Sequence, residues 1–352
     1  MFFTDGSYKE DLKQYTEKIV EEYGVSSNSS EREIVCMSKE GNVIALKLYA
    51  DMLFYKKIFD KHAYKKSFYL YLQSADINIE VEKWKCGGKS YPLAFWSVGY
   101  YLVNYKRESA LKKCETIDEI ETMTFRERMK TALDLSYACL KYEKNSGAIN
   151  LVGRILREAS LDEELFEDIR DMLNKKLLKL TLPELTDRPA EISTTKQCAD
   201  FAEILFITSA QKGYPFACNN LAAREADKIL KMDEEADSEA LNECIINYIC
   251  YLKLAADRYE PYAANRLGLF YMKGEISTSE GKKYFKEYVD TALAKEYFFK
   301  ATEYPDSNSA WGYFNLMKYF PKMYEKDIDL MNEHMDYIKQ LNPAVYDLAM
   351  DL

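Results

Sequence analysis

A chain of 352 residues with 47% hydrophobic and 14% aromatic side chains can bury a large interior, which excludes wholesale disorder. Its formal net charge of −10 argues against a nucleic-acid or anionic-membrane binder that works through bulk electrostatics. Thirteen glycines and eight prolines, amid abundant Leu, Ala, Lys and Glu, favour helices over an all-β or Rossmann-type chain.

In chain order, residues 1–30 read as an N-terminal capping helix, SYKEDLKQYTEKIVEEYG, with the Ser-rich joint VSSNSSERE after it. Residues 31–180 read as a first group of helical repeats and 198–320 as a second group. The Pro-containing TLPELTDRPAEISTTKQ at 181–197 is the expected hinge or boundary, because proline and polar residues interrupt both periodicities there. Ahead of it, SLDEELFEDIRDMLNKKLLKL is an extra helix expected to open with a capping box from Ser160 to Glu163. Residues 321–352 supply one or two C-terminal capping helices.

Within the two groups the chain repeats itself. Six segments align on an alanine: GNVIALKLYADMLF at Ala45, SYPLAFWSVGYYL at Ala94, NSGAINLVGRIL at Ala148, GYPFACNNLAARE at Ala217, PYAANRLGLFYMKG at Ala263 and SNSAWGYFNLMKYF at Ala310. Five residues later stand Ala50, Gly99, Gly153, Ala222, Gly268 and Asn315, each small. Just before them stand Tyr49, Val98, Val152, Leu221, Leu267 and Phe314, each apolar. A small residue beside a large one means that one helix face approaches a neighbour closely. This explains a glycine such as Gly268 in mid-helix, where it costs about 1 kcal/mol relative to Ala. Between the six lie second, amphipathic helices, including AYKKSFYLYLQSAD, MKTALDLSYACLKY and CIINYICYLKLAADRYEP. The expected fold is therefore all-α: an α-solenoid of about six helix pairs with capping helices, wound as a right-handed superhelix.

The string AADRYEPYAANRLGLFYMKG at 255–274 resembles a Sel1-like repeat, a subclass of the tetratricopeptide-type helix pair: an alanine pair, a short turn, then A-x-x-x-L-G-x-x-Y-x-x-G. SAQKGYPFACNNLAA at 209–223 is similar to it in part, and the resemblance extends over roughly 40–320. The pattern departs from the family in its longer spacings and in a closing glycine found only as Gly274. In such arrays the first helices line a concave groove. The resemblance thus implies that the column two residues after each anchor, Lys47, Trp96, Asn150, Asn219, Asn265 and Gly312, faces inward. A carboxamide offers both donor and acceptor and suits an extended peptide backbone. The expected partner-binding residues are Asn150, Asn219 and Asn265, flanked by Trp96, Tyr100, Phe216, Tyr262 and Leu269. The alternative is that the asparagines hydrogen-bond neighbouring helices or simply face water.

Other motifs carry less. KCGGKS at 85–90 lacks the first glycine of a phosphate-binding loop, since Lys83 holds that place. His62 and His334 are far apart in sequence and fit no metal spacing. The eight cysteines are scattered with no C-x-x-C pair, as expected of a reducing cytoplasm. No apolar run approaches the ~20 residues of a membrane span. The 29 tyrosines suit a recognition surface. The expectation is a cytoplasmic scaffold or adaptor for a protein or peptide, with no enzymatic activity, cofactor or metal. The competing class is a nucleic-acid-associated effector or enzyme using FYKKIFDKHAYKKSFYLY at 54–71, where lysines interleave with rings.

Overall fold

A computed structural model describes residues 31–54, 60, 62–78, 90–107, 111, 114–180, 185, 188–232, 238–304, 308–325 and 327–352. The expected N-terminal cap at 1–30 lies outside the described residues. The chain is all-α, with helices packing on their sequence neighbours, and it divides into two compact units between Lys212 and Gly213.

In the N-terminal unit, α1 (Glu31–Lys39) precedes three helix pairs. These are α2 (Val43–Phe54) with α3 (Ala63–Ser74), α4 (Pro92–Asn104) with α6 (Phe125–Tyr142), and α7 (Ser146–Ala159) with α9 (Thr195–Gln211). The short α5 (Asp118–Glu121) and the extra helix α8 (Glu163–Lys175) are insertions. The C-terminal unit pairs α10 (Pro215–Lys231) with α11 (Ser238–Ala256) and α12 (Pro261–Lys273) with α13 (Thr291–Thr302). It closes with α14 (Ser309–Tyr319), α15 (Ile328–Leu341) and α16 (Pro343–Ala349). Ala310 and Phe314 of α14 join Ile338, Val345 and Ala349 in one apolar cluster, so the terminal helices cover the last first-helix face.

Local chemistry sets the helix ends. Pro92, Pro215, Pro261 and Pro343 each occupy a first turn, where the missing N–H costs nothing. Thr124 with Glu127 and Thr194 with Gln197 form capping boxes. At α8 the cap is Asp162, which accepts from Leu165 N at 2.9 Å, rather than the expected Ser160. That hydroxyl donates back to Arg157 O instead.

The small-residue column is a packing column. A Cβ built on Gly153 would stand 2.7 Å from Phe206 Cε1, and one on Gly99 3.3 Å from Ala132 O. At Gly268 it would overlap the Phe298 ring. Each neighbour belongs to the second helix of the same pair.

Two expectations need correction. The segment 181–197 is not the boundary between units. Its described part is sewn to α8: Asn174 exchanges two hydrogen bonds with the Ile192 backbone, both 2.9 Å. Arg188 also donates to Leu178 O and Leu180 O at 2.6 Å, and Leu185 and Ile192 are buried. In addition, an antiparallel hairpin interrupts the helices, with β1 (Glu275–Thr278) pairing to β2 (Gly281–Tyr284). Gly274 starts it in the left-handed region at φ 69°, and a Cβ there would collide with the Phe285 backbone.

Candidate partner-binding surface

The column two residues after each anchoring alanine does not form an open floor. In the N-terminal unit Lys47 is fully buried, paired with Asp51 at 2.7 Å, and its ammonium lies 5.9 Å from the Trp96 ring centroid. Trp96 in turn fills the space beside Gly147, where a Cβ would meet its Cζ2 at 2.6 Å. In the C-terminal unit Asn219 Nδ2 donates to Glu260 Oε2 and Asn265 Nδ2 to Asn308 O, both at 2.7 Å. Asn315 Nδ2 approaches Asn265 Oδ1 at 3.5 Å. Trp96, Asn219 and Asn265 thus touch the N-terminal turn of the next first helix, whereas Lys47 reaches the ring of Trp96 within α4. Each acts as a rung between successive repeats.

Burial sorts the candidate residues. Trp96, Tyr100 and Asn150 are buried in the N-terminal unit, and Tyr100 packs edge-on to Phe54 at 6.2 Å. None is open to a partner, which corrects the groove expected there. Asn265 is buried for the same reason: its amide is spent on the neighbouring repeat. Phe216, Asn219 and Leu269 are half-buried, while Tyr262 is 45% exposed.

Phe216 on α10 and Tyr262 on α12 each immediately precede an anchor alanine. Leu269 lies seven residues, about two turns, after Tyr262 and so shares its helix face. At the place before the anchor, Ile44, Leu93 and Gly147 of the N-terminal unit are buried; six places after the anchor, Asp51 and Tyr100 are buried while Arg154 is half-buried. The open aromatic part of the first-helix face therefore lies on α10 and α12, since Ser309 and Leu316 at the same places of α14 are buried.

Sequence reasoning missed what bounds this face. Arg266 donates to Ser277 Oγ at 3.2 Å and to Ser277 O at 2.5 Å, tying β1 to α12. Lys283 donates to Ile229 O at 2.9 Å and also to Met232 O, so a β2 lysine caps the C-terminal carbonyls of α10. The hairpin packs on α10 and α12 and leaves Tyr284 57% exposed. The available signal was Ser279-Glu280-Gly281 between two alternating stretches, a turn pattern.

Groups with reactive potential are dispersed. His62 meets Glu115 at 2.5 Å on an exposed site of one unit, and His334 meets Tyr324 in the other. Burial pushes the Cys198 thiol up to about 12 and the Cys114 thiol to about 11, far from thiolate chemistry. In the 54–71 stretch Phe54, Phe68 and Tyr71 are core residues, and Lys66 pairs with Asp60 at 3.1 Å. Lys56, Lys57 and Lys61 lie outside the described residues, as does 85–89. Among the described residues no group of three or more His, Cys, Asp or Glu is placed to hold a metal ion, and no helix is long and apolar enough to cross a membrane. Neither a protein-family model nor a curated protein sequence matches the chain significantly.

Proposed function

We propose that this protein is a cytoplasmic interaction scaffold of Sel1-like character that binds a peptide or partner protein along the first-helix face of its C-terminal unit. The observation that carries this reading is the exposure of Tyr262 beside half-buried Phe216 and Leu269, where the equivalents of both rings in the N-terminal unit, Ile44, Leu93 and Gly147, are buried. A tyrosine and a phenylalanine freeze few torsions when covered, so they suit a recognition surface. The hairpin adds exposed Tyr284 at its edge. Binding energy in this reading comes from the rings, as at interfaces where a few aromatic anchors dominate, and not from the asparagine column.

The test is affinity capture with the full chain, compared with Tyr262→Ala/Leu269→Ala and with a control, Tyr142→Ala, at an exposed tyrosine of the N-terminal unit. The reading expects a partner held by wild type and control but lost by the double variant, with all three proteins melting alike. Equal capture by all three would overturn it.

A further inference from the structure

The cations of α6 are not treated alike. Arg126 pairs with Asp162 at 3.7 Å and with Glu164, and Lys130 pairs with Asp168 at 3.7 Å, all across the α8 side. Arg128 points elsewhere. Half-buried, it has no ion pair among the described residues, and its buried Nε has no hydrogen-bond partner.

Its neighbour is another guanidinium. Arg107 follows α4 in a turn held by Lys106 in the left-handed region at φ 55°. Its Cζ lies 5.3 Å from the ring centroid of Phe125, which is one helical turn before Arg128 on the same face of α6. Partial burial pushes the Arg128 guanidinium below its usual range and the Arg107 charge adds to it, outweighing the opposing pull of Glu121 and Tyr105. Among the described residues the nearby carboxylates are already paired: Glu121 with Lys106 at 2.5 Å and Glu158 with Arg107 at 3.0 Å.

An unpaired, partly desolvated arginine beside a second arginine is costly in the free protein. A tetrahedral dianion relieves both costs, because guanidinium forks match phosphoryl oxygens in geometry and in charge. We propose that Arg128 and Arg107, between the end of α4 and the first turns of α6, form a binding site for a phosphoryl dianion. The dianion is supplied either by free phosphate or by a phosphorylated side chain of a partner. The site is in the N-terminal unit and does not depend on the partner surface proposed for the C-terminal unit.

Calorimetric titration of the full chain tests it, with inorganic phosphate, a phosphoserine peptide and the unphosphorylated peptide as separate arms. Saturable binding of phosphate or phosphopeptide is expected, weakened about tenfold or more by Arg128→Gln and by Arg107→Gln. Lys130→Gln, which removes a paired cation from the same helix, should bind like wild type. Comparable binding of inorganic phosphate identifies the free anion as sufficient, whereas clear preference for the phosphopeptide identifies a partner side chain. In phosphate-free buffer Arg128→Gln should melt at or above wild type, since it removes an unpaired charge. No saturable binding in either phosphorylated arm, binding unaffected by Arg128→Gln, or a variant that melts well below wild type would each overturn the proposal.

Discussion

Asn219 Nδ2 donates to Glu260 Oε2 at 2.7 Å, and the same carboxylate receives Tyr262 N at 3.2 Å and Ala263 N at 2.8 Å. One first helix thus reaches across to complete the cap of the next. Asn219→Ala should cost about 1 kcal/mol, the net worth of such a bond. Asn219→Asp should cost more, because it sets a carboxylate against the buried Glu260 carboxylate. Denaturant unfolding that ranks Asp as the milder change would refute the rung.

Gly268 faces Phe298 with no room for a methyl group, and Phe298 is fully buried. Gly268→Leu should therefore destabilise by ~1–3 kcal/mol through overpacking, despite leucine's better helix propensity. Trimming the ring with Phe298→Leu in the Gly268→Ala background should recover part of the Gly268→Ala loss. Melting temperatures within a degree of wild type for Gly268→Leu would show that the column is not tightly packed.

Lys47 and Asp51 form an ion pair in the core, with Tyr71 Oη donating to Asp51 Oδ1 at 2.7 Å. Removing one partner strands a charge away from water. Asp51→Asn should cost about 3–5 kcal/mol, and adding Lys47→Met should restore much of it, since asparagine still accepts from Tyr71. Additive losses in the double variant, measured by chemical denaturation, would rule out coupling between the two groups.

His334 is buried between Tyr313, whose ring centroid is 4.6 Å away, and Tyr324, whose hydroxyl lies 2.9 Å from its Nδ1. Burial pushes its pKa down, opposed weakly by Glu333. The folded state then binds fewer protons than the unfolded state once pH falls below the ordinary histidine value of about 6.5. Stability from this site is present above that pH and is lost as pH drops toward the depressed folded value. The melting temperature should fall between pH 7.5 and 5, and His334→Phe should flatten that slope. A wild-type slope unchanged by the variant would contradict this.

The sequence by itself determined the helices, the pairing and the close crossings. These follow from local rules: a 3.6-residue apolar period, prolines at first turns, and a small residue five places after each alanine anchor. Each is written within one helix. It also marked Asn219 and Asn265 as special without revealing where they point. Only the tertiary structure decided that they engage the next repeat, because the stagger between successive first helices depends on loop lengths and inter-repeat packing that no single-helix period encodes. The same holds for the break at Lys212/Gly213 and for the hairpin. Pro183 and Pro189 advertise a hinge locally, yet Asn174 and Arg188 bind the described part of that segment down to residues outside it. Arg128 looks like any surface cation until folding brings Arg107 beside it and leaves it without an ion pair among the described residues.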